Sequence, residues 1–135
     1  MEQDKDILNN KSYAFAIRIV RLSQYLHNEN KEFVLSRQVL KSGTSIGALV
    51  REAKYAQSKL DFIHKLSIAL KEANETYYWL SLLYDTNYIE EKLFDSLLKD
   101  CNELISILVS SVKTMKSKMN HEKIKQKTEK IKNND

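Results

Sequence analysis

The sequence has 135 residues, a formal net charge of +4, one cysteine, two glycines and no proline. This length suits a single domain with its own hydrophobic core, and a single cysteine excludes an internal disulfide. Because strands and tight turns require frequent glycine and proline, their scarcity predicts an all-α protein.

The first residues of the chain do not resemble a targeting signal. Residues 1–11 are polar and acidic, whereas a secretory signal begins with positive charge and continues with an apolar run. No apolar stretch approaches the roughly 18 residues needed to span a bilayer. We therefore expect a cytoplasmic protein without membrane contact, and the low cysteine content suits a reducing compartment.

Apolar residues recur at alternating spacings of three and four, which is the period of one helix face. The predicted stripe of the first helix is Phe15, Ile19, Leu22 and Leu26, and that of the fourth is Phe94, Leu98, Cys101, Ile105, Leu108, Val112 and Met115. Asn9 is a candidate cap for the first helix, and Ser58 with Asp61 resembles a capping box for the third. Short connections between long helices predict an antiparallel up-and-down four-helix bundle over residues 1–116. The predicted helices are at about 11–28, 32–57, 59–85 and 90–116.

The second and third predicted helices are apolar on more than one face. Such a helix is either central in its fold or contacts a second molecule, and a four-helix bundle has no central helix. We therefore infer self-association. The residues expected to pack between helices or between subunits are Gly43, Gly47, Ile46, Val50, Tyr77 and Trp79.

Both glycines lie four residues apart, within the stretch 41–50 of the second predicted helix. Each costs about 1 kcal/mol relative to alanine in a helix interior. Their spacing places both on one helix face and leaves a shallow groove, which another helix can approach closely. Gly43 and Gly47 therefore predict a contact surface, inside the bundle or between subunits, rather than a phosphate-binding loop.

The positive charge is concentrated near the C-terminus. From Lys116 to Asp135 the chain has seven lysines against three acidic residues, a net charge of +4, so residues 1–115 sum to zero. We predict that residues 117–135 form a basic tail, either flexible or frayed-helical. Two interpretations stay open, since such a tail is either a solvated extension or a phosphate-binding arm.

Basic side chains beside the apolar stripes of the second and third helices give a further candidate surface. They form ion pairs between helices or subunits, or else they line a groove for nucleic acid. The candidate nucleic-acid contacts, including those of the tail, are Arg37, Lys41, Arg51, Lys65, Lys116, Lys118, Lys123, Lys125 and Lys127.

The sequence contains no recognisable constellation for catalysis or metal binding. The three histidines lie in different segments, and there is no HExxH motif or Cys/His cluster at metal spacing. Glu72 and Glu75 share a helix face, but a di-metal bundle requires ligands from more helices. Cys101 lies in an apolar stripe, as a buried structural thiol does. We therefore expect no enzymatic activity, no metal and no cofactor.

Several stretches resemble the 23S rRNA intervening-sequence protein family, often labelled four helix bundle proteins. They include SGTSIGA at 42–48, LSIALKEA at 66–73 and ETYYWL at 75–80, and the resemblance covers about residues 11–115. It implies an up-and-down bundle that assembles as a homopentamer and has no established enzymatic activity. Many family members are encoded inside insertions within bacterial 23S rRNA genes. A related branch, the accessory proteins of diversity-generating retroelements, binds nucleic acid and a reverse transcriptase.

Two functions are consistent with these observations. The first is a homo-oligomer associated with nucleic acid, either ribosomal RNA or a retroelement-like ribonucleoprotein, in which several basic tails act together. The second is a protein-interaction or structural scaffold that binds no nucleic acid. The expected partners are therefore further copies of the chain, together with RNA or DNA, or with another protein.

Overall fold

The computed structural model describes residues 2–134, with side chains for residues 7–134. It confirms an all-helical, four-helix architecture. The bounds of the third helix agree with the prediction, whereas the first begins earlier, the second ends earlier and the fourth continues further. The helices are α1 (Glu2–Glu29), α2 (Val34–Lys54), α3 (Lys59–Asp85) and α4 (Glu91–Asn133).

Three helix ends differ from the prediction for local physical reasons. Leu8 is buried and extends the core stripe of α1, so Asn9 lies within the helix instead of capping it. α2 ends at Lys54 because Ser58 is extended, with φ of −152°, and accepts a hydrogen bond from the Asp61 N–H to cap α3. α4 continues because residues 117–133 lack glycine and proline and place lysine and glutamate at helical spacing.

The helices pack in chain order around one core. α2 contacts α1 and α3, α3 contacts α2 and α4, and α1 meets α4 to close the bundle, so α2 and α4 are diagonal to each other. Phe15, Ile46, Leu80 and Leu104 bring one fully buried side chain from each helix into this core. Because α2 and α3 each pack against two neighbours, the bundle itself uses much of their wide apolar surface.

Buried hydroxyl groups connect neighbouring helices within the core. The Oγ atoms of Ser23 and Ser36 are 2.9 Å apart between α1 and α2. Thr76 Oγ1 donates to Ser42 Oγ over 2.9 Å between α3 and α2. Since a buried polar group without a partner is costly, these pairs favour one register of α2 against both neighbours.

The α3–α4 connection reverses the chain through a left-handed residue. Asn87 has a φ of 68°, which asparagine tolerates better than most residues. The Tyr88 N–H donates to the Leu83 carbonyl over 2.9 Å, and the Asn87 N–H donates to the Tyr84 carbonyl over 3.0 Å. These two bonds form a Schellman motif, which satisfies carbonyl groups at the end of α3.

α4 has 43 residues and is the longest helix of the molecule. Its first half packs in the bundle through Leu97, Cys101, Leu104 and Leu108, and Met115 is the last buried residue of this helix. Across residues 2–134 no helix, α4 included, combines the length and apolar character needed to cross a membrane.

Candidate nucleic-acid interface

The C-terminal part of α4 extends beyond the start of α3. Lys59, the first residue of α3, forms an ion pair with Glu122, so α3 begins at the level of Glu122. Every residue from 120 to 134 is exposed. Residues 123–133 therefore project as a helix about 16 Å long, at about 1.5 Å per residue. We call residues 117–133 the α4 extension.

Five exposed lysines follow a single line along α4, and we call them the lysine row. Together with Asn120, which fills the position between the second and third lysines, they are spaced alternately by three and four residues. They therefore occupy one helix face over about 26 Å. No acidic residue lies three or four positions from any of them. None forms an ion pair within the described part of the chain. The members are Lys113, Lys116, Lys123, Lys127 and Lys130.

The remaining lysines of the α4 extension lie beside acidic residues. Lys118 precedes Glu122 by four positions, and Lys132 follows Glu129 by three. Lys125 lies between both acids at similar spacing. Glu122 pairs with α3, and Glu129 is on the same side of the helix seven residues later. Because such spacing favours partial neutralisation within a helix, the positive charge of the α4 extension is least compensated at its lysine-row members Lys123, Lys127 and Lys130.

The nine predicted contacts do not form one surface. Three belong to the lysine row and two to the acid-flanked side of the α4 extension. Lys113 and Lys130 belong to the row but are not among the predicted contacts. The alternation of three and four along α4 is the sequence signal that identifies both residues.

The other four predicted contacts lie away from the lysine row. Arg37, Lys41 and Arg51 are exposed on α2, which is diagonal to α4. Lys65 on α3 places its Nζ atom 3.2 Å from Glu52 Oε2 on α2. These residues are therefore surface charges of the bundle, separate from the lysine row.

The two glycines lie where α2 packs against α1. A Cβ atom at Gly43 would lie 2.8 Å from both Cγ atoms of Ile19, and one at Gly47 would lie 3.3 Å from the Ser12 carbonyl oxygen. Neither glycine has a positive φ, so close approach of the helices accounts for both. The sequence predicts a glycine contact surface either inside the bundle or between subunits, and both glycines lie against α1 inside the bundle.

The other predicted packing residues divide between core and surface. Ile46 and Val50 are buried with the rest of the α2 stripe. Trp79 packs partly buried against the core, and its Nε1 atom is buried without a hydrogen-bond partner in the described structure. Tyr77 stays 39% exposed, and the neighbouring Tyr78 ring meets Trp79 edge-on at 5.0 Å between centroids.

Two titratable groups of the bundle, Glu72 and Cys101, have pKa values raised by their surroundings. Burial raises the pKa of Cys101 to about 12, so it stays a neutral thiol. Burial and the neighbouring Glu75 carboxylate raise the pKa of Glu72, and Lys41 opposes this shift. Within the described residues, no three His, Cys, Asp or Glu side chains come together as a metal site.

The family of the chain follows from its match to known sequences. The sequence model of the family described as 23S rRNA-intervening sequence protein matches residues 5–110. The chain belongs to this family. It is also similar to a crystal structure from Bacteroides thetaiotaomicron VPI-5482, a protein of unknown function from the S23 ribosomal protein family. The two share 54% identity over 82% of this chain and 98% of the other, with a TM-score of 0.81. No curated protein matches the chain.

The lysine row of this intervening-sequence protein lies outside the residues that match the family model. The match ends at residue 110, and the row begins at Lys113. The family match therefore accounts for the bundle up to the middle of α4. The function of the lysine row has to be inferred from its own charge and geometry.

Proposed function

We propose that this chain is a non-enzymatic, homo-oligomeric protein of the cytoplasm that associates with nucleic acid through the lysine row of α4. One observation carries the proposal: five exposed lysines share a helix face, and none has an acidic neighbour at helical spacing. Such a line of cations fits a polyanion, because each phosphate contact releases condensed counterions. Since the family is named for 23S rRNA, ribosomal RNA is the first ligand to test, and a retroelement-like ribonucleoprotein is the second.

The proposed oligomer is a homopentamer, the assembly that the family resemblance implies. Five copies display five lysine rows, so weak individual contacts become strong together through their high effective concentration. Sedimentation equilibrium measures the assembly directly. A mass of five chains of 15.8 kDa supports this part of the proposal, and a monomer at micromolar concentration contradicts it.

Two matched triple substitutions test the role of the lysine row. One variant replaces Lys123, Lys127 and Lys130 with glutamine, and its control replaces lysines of the acid-flanked side. Both variants lose three positive charges, but only the first loses them from the lysine row. We expect the row variant to bind a 23S rRNA fragment and a DNA duplex about tenfold or more weakly, with a shallower salt dependence. The control substitutions are Lys118→Gln, Lys125→Gln and Lys132→Gln.

Fluorescence anisotropy between about 50 and 200 mM salt gives both the affinity and its salt slope. The control variant is expected to retain most of the binding, because its lysines lie three or four positions from Glu122 or Glu129, a spacing that offsets part of their charge. Equal losses for the two variants would show that total charge, not the lysine row, determines binding. No binding by the unmodified protein near 50 mM salt would overturn the proposed function.

A protein-interaction scaffold is the second candidate, and a stripe on the outside of α1 favours it. Tyr13 is 60% exposed, and Ile17 and Val20 are each 38% exposed. Their spacing of four and three places them on one helix face, and clustered exposed apolar groups mark interaction surfaces. Salt-insensitive binding of a purified protein partner, without binding of nucleic acid, would support this alternative.

A further inference from the structure

The α4 extension carries two exposed isoleucines that the lysine row does not explain. Ile124 and Ile131 are each 64% exposed, and neither belongs to the hydrophobic core. With His121 and Thr128 they recur at spacings of three and four, so the four residues form one stripe along the helix. We call this the isoleucine stripe.

Lysines flank each isoleucine on both sides. Lys123 and Lys125 surround Ile124, and Lys130 and Lys132 surround Ile131. Successive residues in an α-helix are rotated by about 100°, so each pair of lysines projects to opposite flanks of the stripe. Glu122 and Glu129 precede the isoleucines by two positions and lie about 200° away, on the opposite side. The α4 extension therefore has an apolar line bordered by positive charge, with its acids behind.

We propose that the isoleucine stripe enters the major groove of duplex DNA, an assignment that rests on the proposed nucleic-acid function. The major groove of B-DNA is about 12 Å wide and admits an α-helix. In this position Ile124 and Ile131 face the base edges, where the thymine C5-methyl group offers apolar contact. The lysine-row members Lys123 and Lys130 reach one phosphate backbone and supply most of the electrostatic binding. Lys125 and Lys132 lie toward the other backbone with their charge partly offset by Glu122 and Glu129, and the acidic side of the helix faces away from the DNA.

Other forms of nucleic acid fit this helix less well. The major groove of A-form RNA is deep and narrow, so side chains cannot read it. Proteins that recognise single strands stack successive bases on several aromatic side chains, whereas residues 117–134 contain a single histidine, His121, and no Phe, Tyr or Trp. Duplex DNA is therefore the form that matches both the charge and the apolar line of the α4 extension.

The experiment compares three labelled duplexes of alternating A·T or A·U sequence, bound to the full-length protein and measured by anisotropy. The duplexes are DNA with thymine, the same DNA with uracil in place of thymine, and RNA. We expect the thymine duplex to bind about tenfold more tightly than RNA, and uracil to weaken DNA binding about threefold by removing the methyl group. The double substitution Ile124→Ala with Ile131→Ala should weaken binding of the thymine duplex about threefold, as uracil does, and abolish the difference between thymine and uracil.

The matched control is Gln126→Ala with Asn133→Ala, which alters the opposite side of the same helix. Both pairs introduce alanine, the best helix former, so the α4 extension stays helical in each variant. The control is expected to bind all three duplexes as the unmodified protein does.

Three outcomes would overturn the major-groove assignment. They are equal affinity for RNA and DNA duplexes, a thymine preference that survives the isoleucine substitutions, and tighter binding to phosphatidylserine vesicles than to DNA. If RNA and DNA bind equally and the lysine-row variant loses both, the proposed function stands while the groove assignment fails. If no nucleic acid binds, both fail.

Discussion

Of the two glycines, Gly43 has the less room for a side chain. An added Cβ meets both Cγ atoms of Ile19 at 2.8 Å, and Ile19 is fully buried and cannot move aside freely. Overpacking of this kind costs about 1–3 kcal/mol, whereas alanine gains about 1 kcal/mol in helix propensity. We therefore predict that Gly43→Ala lowers the free energy of unfolding by up to about 2 kcal/mol in denaturant titrations.

A double-mutant cycle identifies the cause of that loss. Ile19→Ala removes both Cγ atoms and leaves only the Cβ of residue 19, at 3.2 Å from the new Cβ, although it is itself destabilising through the cavity it leaves. In this background Gly43→Ala should be neutral or stabilising. The same penalty in both backgrounds would show that contact with Ile19 is not the reason for the glycine.

Glu72 makes stability depend on pH in a predictable direction. Burial and Glu75 raise its pKa, so the folded state holds the proton more tightly than the unfolded state does. The stabilising contribution is complete below the unfolded pKa of about 4.3 and is lost as pH rises through the folded pKa. We predict that Glu72→Gln raises the melting temperature at pH 7 and has no such effect near pH 3.

Glu103 provides the opposite control. Its Oε1 atom lies 2.5 Å from Lys11 Nζ in an exposed ion pair, so Glu103→Gln should lower stability slightly at pH 7, by less than about 1 kcal/mol. Stabilisation by both substitutions would mean that general charge reduction, and not the environment of Glu72, determines the result.

At the level of the helix, periodicity predicts the buried side of α1 better than that of α4. The predicted α1 stripe of Phe15, Ile19, Leu22 and Leu26 is buried. In α4 the predicted stripe includes Leu98 and Ile105, but the structure buries Leu97 and Leu104 more completely. α4 is apolar on two adjacent sides, and only its packing against both α1 and α3 determines which side faces the core.

The two parts of α4 are expected to differ in their contribution to stability. Residues 123–134 are exposed, so removing residues 123–135 should change the free energy of unfolding by less than about 0.5 kcal/mol. Removing residues 113–135 also deletes Met115, which is 8% exposed, and should cost about 2–5 kcal/mol. Thermal unfolding followed by circular dichroism measures both variants. A large loss from the shorter truncation would show that the α4 extension packs on the bundle.

At the scale of the whole molecule, the sequence predicts the fold better than the site. Four helices with short connections follow from periodicity and from caps such as Ser58. The charge of the C-terminal region is also evident in the sequence. The lysine row and the acid-flanked side exist as separate faces only because α4 is a continuous helix through Asn133. The sequence predicts a flexible or frayed-helical tail, in which these faces are not defined. Likewise, periodicity alone does not separate a glycine groove within one chain from a groove between chains.

The proposed homopentamer, with its five lysine rows, should bind long nucleic acid far more tightly than short nucleic acid. A duplex that reaches one row gains only a single set of contacts, whereas a longer duplex engages several rows at high effective concentration. We predict an increase in affinity of about 10² or more between these lengths at constant salt, measured by anisotropy over a series of duplexes. The increase should disappear on dilution below the concentration at which the assembly dissociates, and in the Lys123, Lys127 and Lys130 variant. If affinity rises only in proportion to duplex length, the copies bind independently, and multivalent display by the oligomer is excluded.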